Sequence, residues 1–147
     1  MKPIKPIKIG SYKRSPSEEL TSAEMGKLWA TYTGNSMAKC VLSYYLQHVD
    51  DEEIKTLLEN ELKLTEEFMR ICKEIFEKEN FPIPKGFSEE DVNLGAPRLF
   101  LDPFYVHYLK YASKAGVSIY SVGLPLIYRK DVKKIFSYCM GSTLGLK

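Results

Sequence analysis

Apolar residues recur every three or four positions along four separate stretches of the chain, which is the spacing of one face of an α-helix. The first stretch follows Thr21 and Glu24, which are spaced as a capping box, and it predicts a helix over about residues 22–49. The second stretch predicts a helix over about residues 51–79. Because only the short acidic sequence VDDEEIK joins them, we expect these two long helices to lie antiparallel.

The second half of the chain predicts two further helices. Asp102 as N-cap and Pro103 as the first helical residue predict a helix over about residues 103–122, and a shorter helix follows over about residues 131–141. The inward stripe predicted for the third helix consists of Phe104, Tyr108, Tyr111, Ala112, Ala115, Ile119 and Val122.

Residues 81–101 separate the two helical pairs and contain five prolines and glycines, which forbid a continuous helix. A connection of this length suits a crossover from one end of a bundle to the other. The sequence therefore predicts an all-α fold, a ferritin-like antiparallel four-helix bundle with a long crossover between helices 2 and 3 and a short fourth helix. We expect one bundle domain over residues 21–147, preceded by a flexible basic arm over residues 1–20.

Composition narrows the class of protein. The chain has 147 residues, of which 44% are hydrophobic and 27% charged, as in a single soluble globular domain. Its net charge of +2 is too small for a nucleic-acid binder, although the five cations of the arm leave a nucleic-acid or membrane-surface contact there as an alternative. No apolar run is long enough to span a bilayer, and the N-terminus lacks the apolar core of a secretory signal. The three cysteines are far apart, which argues against a zinc or disulfide framework and favours a reducing, cytoplasmic setting.

Glutamates in the second helix raise the question of a di-iron site, which in a ferritin-like bundle takes carboxylates from all four helices and a Glu-x-x-His from two of them. No Glu-x-x-His occurs in the chain. The first helix has no acidic residue between Glu24 and Asp50, and the last two helices have none between Asp102 and Asp131. We therefore expect no metal, no cofactor and no catalytic residue, and with no nucleophile motif present we predict that the protein is not an enzyme.

Glu61 is the acidic residue on the inward stripe of the second helix. A buried carboxylate needs donors, such as tyrosine hydroxyls, His107 or Lys39; a position at the edge of the stripe, in contact with water, is the alternative.

His48, at the end of the first helix, is expected to meet free backbone carbonyls. The chain has ten tyrosines, which suit either core packing or a semi-polar cavity for a small ligand. The candidate residues of such a cavity are Tyr32, Glu61, His107, Tyr108 and Tyr111.

Three stretches resemble a known bacterial family, domain of unknown function 3231: LTSAEMGKLWATYTGNSMAKCVLSYYLQHVDDEEIK, FPIPKGFSEEDVNLGAPRLFLDPFYVHYL and RKDV. The resemblance spans about residues 20–139, and the crossover is its most specific part. It implies a ferritin-like four-helix bundle, often present as two tandem bundles, found mainly in spore-forming Gram-positive bacteria and distantly similar to spore coat protein F. The family has no established activity, so the resemblance assigns no catalytic residue.

Members of that family usually continue the last helix for further turns, whereas this sequence ends at Lys147. From Asp131 to that point at most about 25 Å of helix can form, against roughly 40 Å for the first helix. We expect an exposed apolar strip where the fourth helix is missing, and self-association or another bundle to cover it. The sequence thus favours a non-catalytic structural or protein-interaction role linked to sporulation, in the cytoplasm, forespore or spore. A small-ligand-binding bundle and a degenerate metal-dependent oxidoreductase are the alternatives.

Overall fold

The computed structural model describes residues 19–145, and every regular element in this range is helical. The predicted four-helix bundle is confirmed. Its helices are α1 (Ser22–Leu46), α2 (Glu52–Lys78), α3 (Asp102–Gly123) and α4 (Lys130–Thr143). The first helix is shorter than predicted because the chain turns at Gln47 and His48. Only the last two residues of the predicted basic arm fall within the described range, and the rest of the arm lies outside it.

Glu24 holds the start of α1 and the start of α4 together. The predicted capping box is present, since the Glu24 N–H donates to Thr21 Oγ1 at 3.2 Å and the Thr21 N–H donates to Glu24 Oε2 at 2.8 Å. The other carboxylate oxygen, Oε1, accepts the N–H groups of Tyr128 and Arg129 at 2.8 and 2.6 Å. Burial alone would raise the pKa of Glu24, but the N–H donors of Arg129, Thr21 and Tyr128 outweigh it and hold the pKa below its ordinary value.

Arg129 extends this arrangement to α2. Its side chain is only 5% exposed, and its Nη1 donates to Glu79 Oε1 at 2.7 Å. Its Nε and Nη2 donate to the two carboxylate oxygens of Asp131 at 2.9 and 2.6 Å. These charge-assisted bonds raise the pKa of Arg129 above its ordinary value. Glu24, Glu79, Arg129 and Asp131 therefore connect three helices, and we call this the closed end of the bundle.

A second carboxylate cluster lies at the opposite end. Asp102 Oδ2 accepts the N–H groups of Asp50 and Asp51 at 3.2 and 2.8 Å, in the turn between α1 and α2. Arg98 donates to Asp102 Oδ1 at 2.7 Å and also to the Asp50 carboxylate. The Asp50 side chain is 81% exposed, so we call this the open end. The prediction that Asp102 caps α3 was wrong: Leu101 occupies the N-cap position without a side-chain cap, and Asp102 instead serves the α1–α2 turn.

The connection between α2 and α3 runs along the second half of α1, as expected of a crossover. Its hydrogen bonds to α1 and to the turn after α1 involve four side chains spaced four residues apart. These bonds are Phe87 N–H to Ser36 Oγ (2.9 Å), Cys40 Sγ to Ser88 O (3.3 Å), Tyr44 OH to Pro97 O (2.6 Å) and His48 Nε2 to Ala96 O (2.9 Å). His48 thus meets a carbonyl of the crossover rather than one at the end of its own helix.

Gly86 is required where the crossover first meets α1. Its φ of +60° lies in the left-handed region, and a Cβ at this position would lie 2.6 Å from Ser36 Oγ. A side chain there would displace the crossover from α1.

The apolar core consists of two clusters, one toward each end. The closed-end cluster comprises Leu28, Phe68, Cys72, Ile75, Phe76, Tyr120, Ile127, Val132, Phe136 and Cys139. The open-end cluster comprises Leu42, Tyr44, Tyr45, Leu58 and Tyr105. Residues of α4 belong to the first cluster only, so the second is built without a fourth helix.

The inward stripe predicted for α3 was largely wrong. The buried residues of this helix are Tyr105, Tyr120 and Gly123, whereas Phe104, Tyr111, Ile119 and Val122 are exposed. The buried stripe is therefore displaced by about one residue, or roughly 100° around the helix. Apolar side chains cover more than one side of α3, so their periodicity alone does not determine which side faces the core.

Candidate interaction surface on the third helix

A groove opens between the first halves of α2 and α3, and only the end of α4 reaches it. It has a volume of about 430 Å³ and is lined by Leu57, Asn60, Glu61, Leu64, Val106, Leu109, Lys110, Ser113 and Ser142. Gly145 adopts φ +74°, which turns the chain out of the helical direction just after α4. With 14 residues, α4 is roughly 21 Å long, so it covers only about half the length of α2.

Glu61 lies in this groove and is partly buried. Within residues 19–145 no donor hydrogen-bonds or ion-pairs with its carboxylate, so the donors expected from the sequence are not there. Burial in the absence of such donors raises its pKa. Burial raises the pKa of the Tyr108 hydroxyl, and the nearby charge of Glu61 raises that pKa further. These two members of the predicted cavity are therefore neighbours.

The other three predicted ligand-binding residues lie elsewhere. Tyr32 packs against the closed-end core cluster. His107 is exposed and Tyr111 is 68% exposed, because the displaced stripe of α3 turns both of them to solvent. The five residues do not line one interior cavity, and Glu61 is the member of the set that lines the groove.

The second open surface of α3 lies on the opposite side from the groove. We call it the outer face of α3 and define it by Leu101, Phe104, Tyr111, Ala115, Ile119, Val122 and Leu126, all exposed to solvent. With the partly buried Tyr108, the helical members recur at steps of three or four residues. This spacing is typical of a helix that packs against another helix.

A lysine flanks the outer face. Lys114 is exposed on the polar side of α3, and no acidic residue occurs between Asp102 and Asp131. The Lys114 Nζ lies 5.8 Å from the centre of the Tyr111 ring, a cation–π distance. The outer face is therefore apolar at its centre and positively charged along one edge.

Among residues 19–145, no group of three or more His, Cys, Asp or Glu side chains is placed to hold a metal ion. None of the helices in that range is both long and apolar enough to cross a membrane.

Comparison with protein families gives a match over residues 11–147 to the model described as "Protein of unknown function (DUF3231)". The chain belongs to this family. The DUF3231 chain is also similar to a crystal structure described as a "putative spore coat protein" from Bacillus halodurans C-125. The two share 18% sequence identity with a TM-score of 0.78, over 88% of this chain and 84% of the other, which establishes a common fold. A search of curated proteins gave no match.

The geometry explains why one segment of the DUF3231 chain is so distinctive. The crossover sequence that carried the resemblance is the segment bonded to Ser36, Cys40 and Tyr44 of α1 and to His48 just after it. Within this segment, Gly86 is required by its positive φ and by its closeness to Ser36. Most residues of the outer face of α3, by contrast, were recognised from the sequence as an apolar stripe, but that stripe was assigned to the core. The second set of apolar residues on this helix, which includes Tyr105 and Tyr120, is the one that is buried.

Proposed function

We propose that this DUF3231 protein is a non-catalytic structural module that works by protein–protein association, in a sporulation-related setting. The observation that carries the proposal is the outer face of α3, where Tyr111, Val122 and Leu101 are 68%, 65% and 72% exposed. Contiguous apolar patches of this kind on soluble proteins mark interaction sites. The fold shared with a protein described as a spore coat protein supports the setting.

The two alternatives have less support. A ligand cavity is expected to enclose its ligand, whereas the α2–α3 groove is open and contains one of the five predicted ligand-binding residues. An oxidoreductase built on a di-metal site requires inward carboxylates from several helices, and α1 has none after Glu24.

The proposal is tested first on the purified, untagged protein. We expect its mass in sedimentation equilibrium to exceed that of the monomer as the concentration rises from about 1 μM to several hundred μM, the range in which weak interfaces associate. A strictly monomeric protein that binds no dye specific for apolar surface would contradict the association role. Stoichiometric iron or manganese, or a copurified small molecule in native mass spectrometry, would contradict the non-catalytic or non-ligand role.

The setting is tested separately with a fluorescent fusion in a sporulating host. We expect the fusion to concentrate at the forespore or spore surface. Substitution of Ile119, on the outer face, by lysine should disperse it, whereas Ser121→Lys should not. Both positions are exposed on α3, but Ser121 lies on the polar side of the helix. The two variants therefore add the same charge to the same helix and differ in the side of the helix that carries it. A uniform cytoplasmic signal for the wild type would overturn the proposed setting.

A further inference from the structure

We infer that the partner of the outer face of α3 is the same face of a second copy of this chain, with the two α3 helices antiparallel about a two-fold axis between Tyr111 and Ala115. This inference rests on the proposed association role and names its partner and geometry. A two-fold interface uses one surface patch twice, so the patch has to be complementary to itself.

The order of side-chain sizes along α3 meets this requirement. In an antiparallel pair, residues equally far from the axis on the two copies lie opposite each other. The axis near residue 113 places Tyr111 opposite Ala115 and Phe104 opposite Val122 of the other copy. Each large aromatic residue thus faces a smaller one, which allows the side chains to interdigitate at the density of a protein interior.

The exposed area is of the size that a dimer needs. The side chains of the outer face leave on the order of 700 Å² open to solvent, close to the ~800 Å² per partner of a standard interface. The six large apolar residues of the outer face are each 40–72% exposed. The α2–α3 groove is not used by this pairing and stays open.

Because α3 carries Lys114 beside its outer face, a second copy and an acidic partner should respond to salt in opposite ways. Lys114 lies close to residue 113 in sequence, so pairing about that axis brings the Lys114 residues of the two copies toward each other along one edge. Screening of this repulsion strengthens a self-pair as salt increases. An acidic partner helix would be attracted to the same lysines and would bind less tightly as salt increases.

The first experiment tests whether the outer face is used. The dimer dissociation constant is measured by sedimentation for the wild type, Ile119→Lys and Ser121→Lys, at about 50 and 500 mM salt. We expect Ile119→Lys to weaken the dimer by roughly tenfold or more, since it places a charge in the interface. Ser121→Lys should leave it near the wild-type value, and higher salt should tighten the wild-type dimer. Circular dichroism confirms that each variant is folded.

The second experiment tests the antiparallel register. Tyr111→Cys and Ala115→Cys proteins are oxidised separately and as a mixture, with the wild type as control for Cys40, Cys72 and Cys139. The proposed register places position 111 opposite position 115 of the other copy. Two copies of position 111 are displaced by roughly 6 Å along the axis in addition to the 8–10 Å between helices, too far for a disulfide. We expect the mixture to form a disulfide-linked dimer efficiently and each variant alone to do so poorly.

The outcomes separate this inference from the function on which it rests. A dimer that is insensitive to Ile119→Lys, or that crosslinks best through Tyr111→Cys alone, overturns the antiparallel pairing while self-association survives. A wild type that stays monomeric overturns the pairing as well, and the dye and mass measurements then decide whether the association role survives with a different partner. A mixed disulfide together with a dimer lost in Ile119→Lys supports the inference.

Discussion

Each end of the bundle is held together by a cluster of a carboxylate, backbone N–H groups and an arginine. The two clusters differ in how much they are exposed to water. At each end a carboxylate accepts backbone N–H groups from a distant segment, and an arginine joins a second element to the cluster. At the closed end Glu24 is fully buried and the Arg129 side chain is 5% exposed. At the open end the Arg98 side chain is 29% exposed and its partner Asp50 is 81% exposed.

This difference sets how much each cluster contributes to stability. Hydrogen bonds and ion pairs in contact with water are nearly balanced by the solvation that they replace, whereas loss of a buried partner leaves a desolvated group behind. Each cluster combines a carboxylate, backbone N–H groups and an arginine, so their comparison tests the effect of burial. Four substitutions test it, and the expected effects decrease in the order given.

Replacement of Glu24 by alanine should have the largest effect. It removes the capping-box acceptor of α1 and leaves the partly buried N–H of Tyr128 and the buried N–H of Arg129 without their acceptor. At about 1–3 kcal/mol for each buried unsatisfied group, we expect a loss of roughly 3–5 kcal/mol in the free energy of unfolding. Urea denaturation at pH 7 measures this loss, and Glu24→Gln is the control because it retains one acceptor oxygen. A loss below about 1 kcal/mol would show that burial does not increase the contribution of this cluster to the free energy of unfolding.

Replacement of Arg129 by methionine should have the second-largest effect. Methionine fills much of the same volume but donates no hydrogen bond to Glu79 or Asp131. Since removal of one partner of a buried pair is costly, we expect a loss of about 2–4 kcal/mol. The double variant Arg129→Met with Glu79→Gln should lose less than the sum of the two single variants. Additive losses in this double-mutant cycle would mean that the Arg129–Glu79 bond contributes little.

Replacement of Arg98 by methionine is the matched test at the open end. The same change in chemistry is expected to lower the urea midpoint by clearly less than Arg129→Met does, because water can solvate Asp50 and Asp102 once the guanidinium is gone. The effect should shrink further at high salt. Equal losses at the two ends would contradict the role assigned to burial.

Local features of these clusters could be predicted from the sequence, and their distant partners could not. Thr21 and Glu24 form the expected capping box because its members lie three residues apart. The bonds from Glu24 to Tyr128 and Arg129 span most of the chain, and no local spacing encodes them. Asp102 illustrates the converse: it has the position of a good N-cap, but tertiary packing recruits its carboxylate to the α1–α2 turn.

The candidate surface on α3 was assigned to the core for a related reason. The helix, the place of Pro103 in its first turn and its approximate length follow from turn chemistry and periodicity. Its orientation depends on which of two neighbouring apolar stripes packs better in the bundle. Tyr105 and Tyr120 reach aromatic partners at Tyr45 and Phe68, and this turns Tyr111 and Val122 outward. An apolar stripe in the sequence thus indicates a packing surface without saying whether the packing is within one chain or between two.

Glu61 is the third case in the comparison, a partly buried carboxylate that lacks the donors present at both ends. Its pKa is raised by burial, so the charged form is destabilised in the folded state relative to the unfolded state. The effect on the free energy of unfolding is opposite in sign to that of Glu24. The cost of the Glu61 charge is fully present above the pKa of Glu61 in the folded protein, and it disappears as the pH falls below the pKa of Glu61 in the unfolded chain. We therefore expect Glu61→Gln to raise the urea midpoint slightly at pH 7, with the advantage shrinking toward pH 4.5, the ordinary value for a glutamate. Glu59→Gln, at an exposed position of the same helix whose carboxylate has no ion-pair partner among residues 19–145, is the control for the change in net charge. A variant that is less stable than the wild type at pH 7 would mean that the Glu61 charge is stabilised in the folded protein, as Glu24 is by its N–H donors.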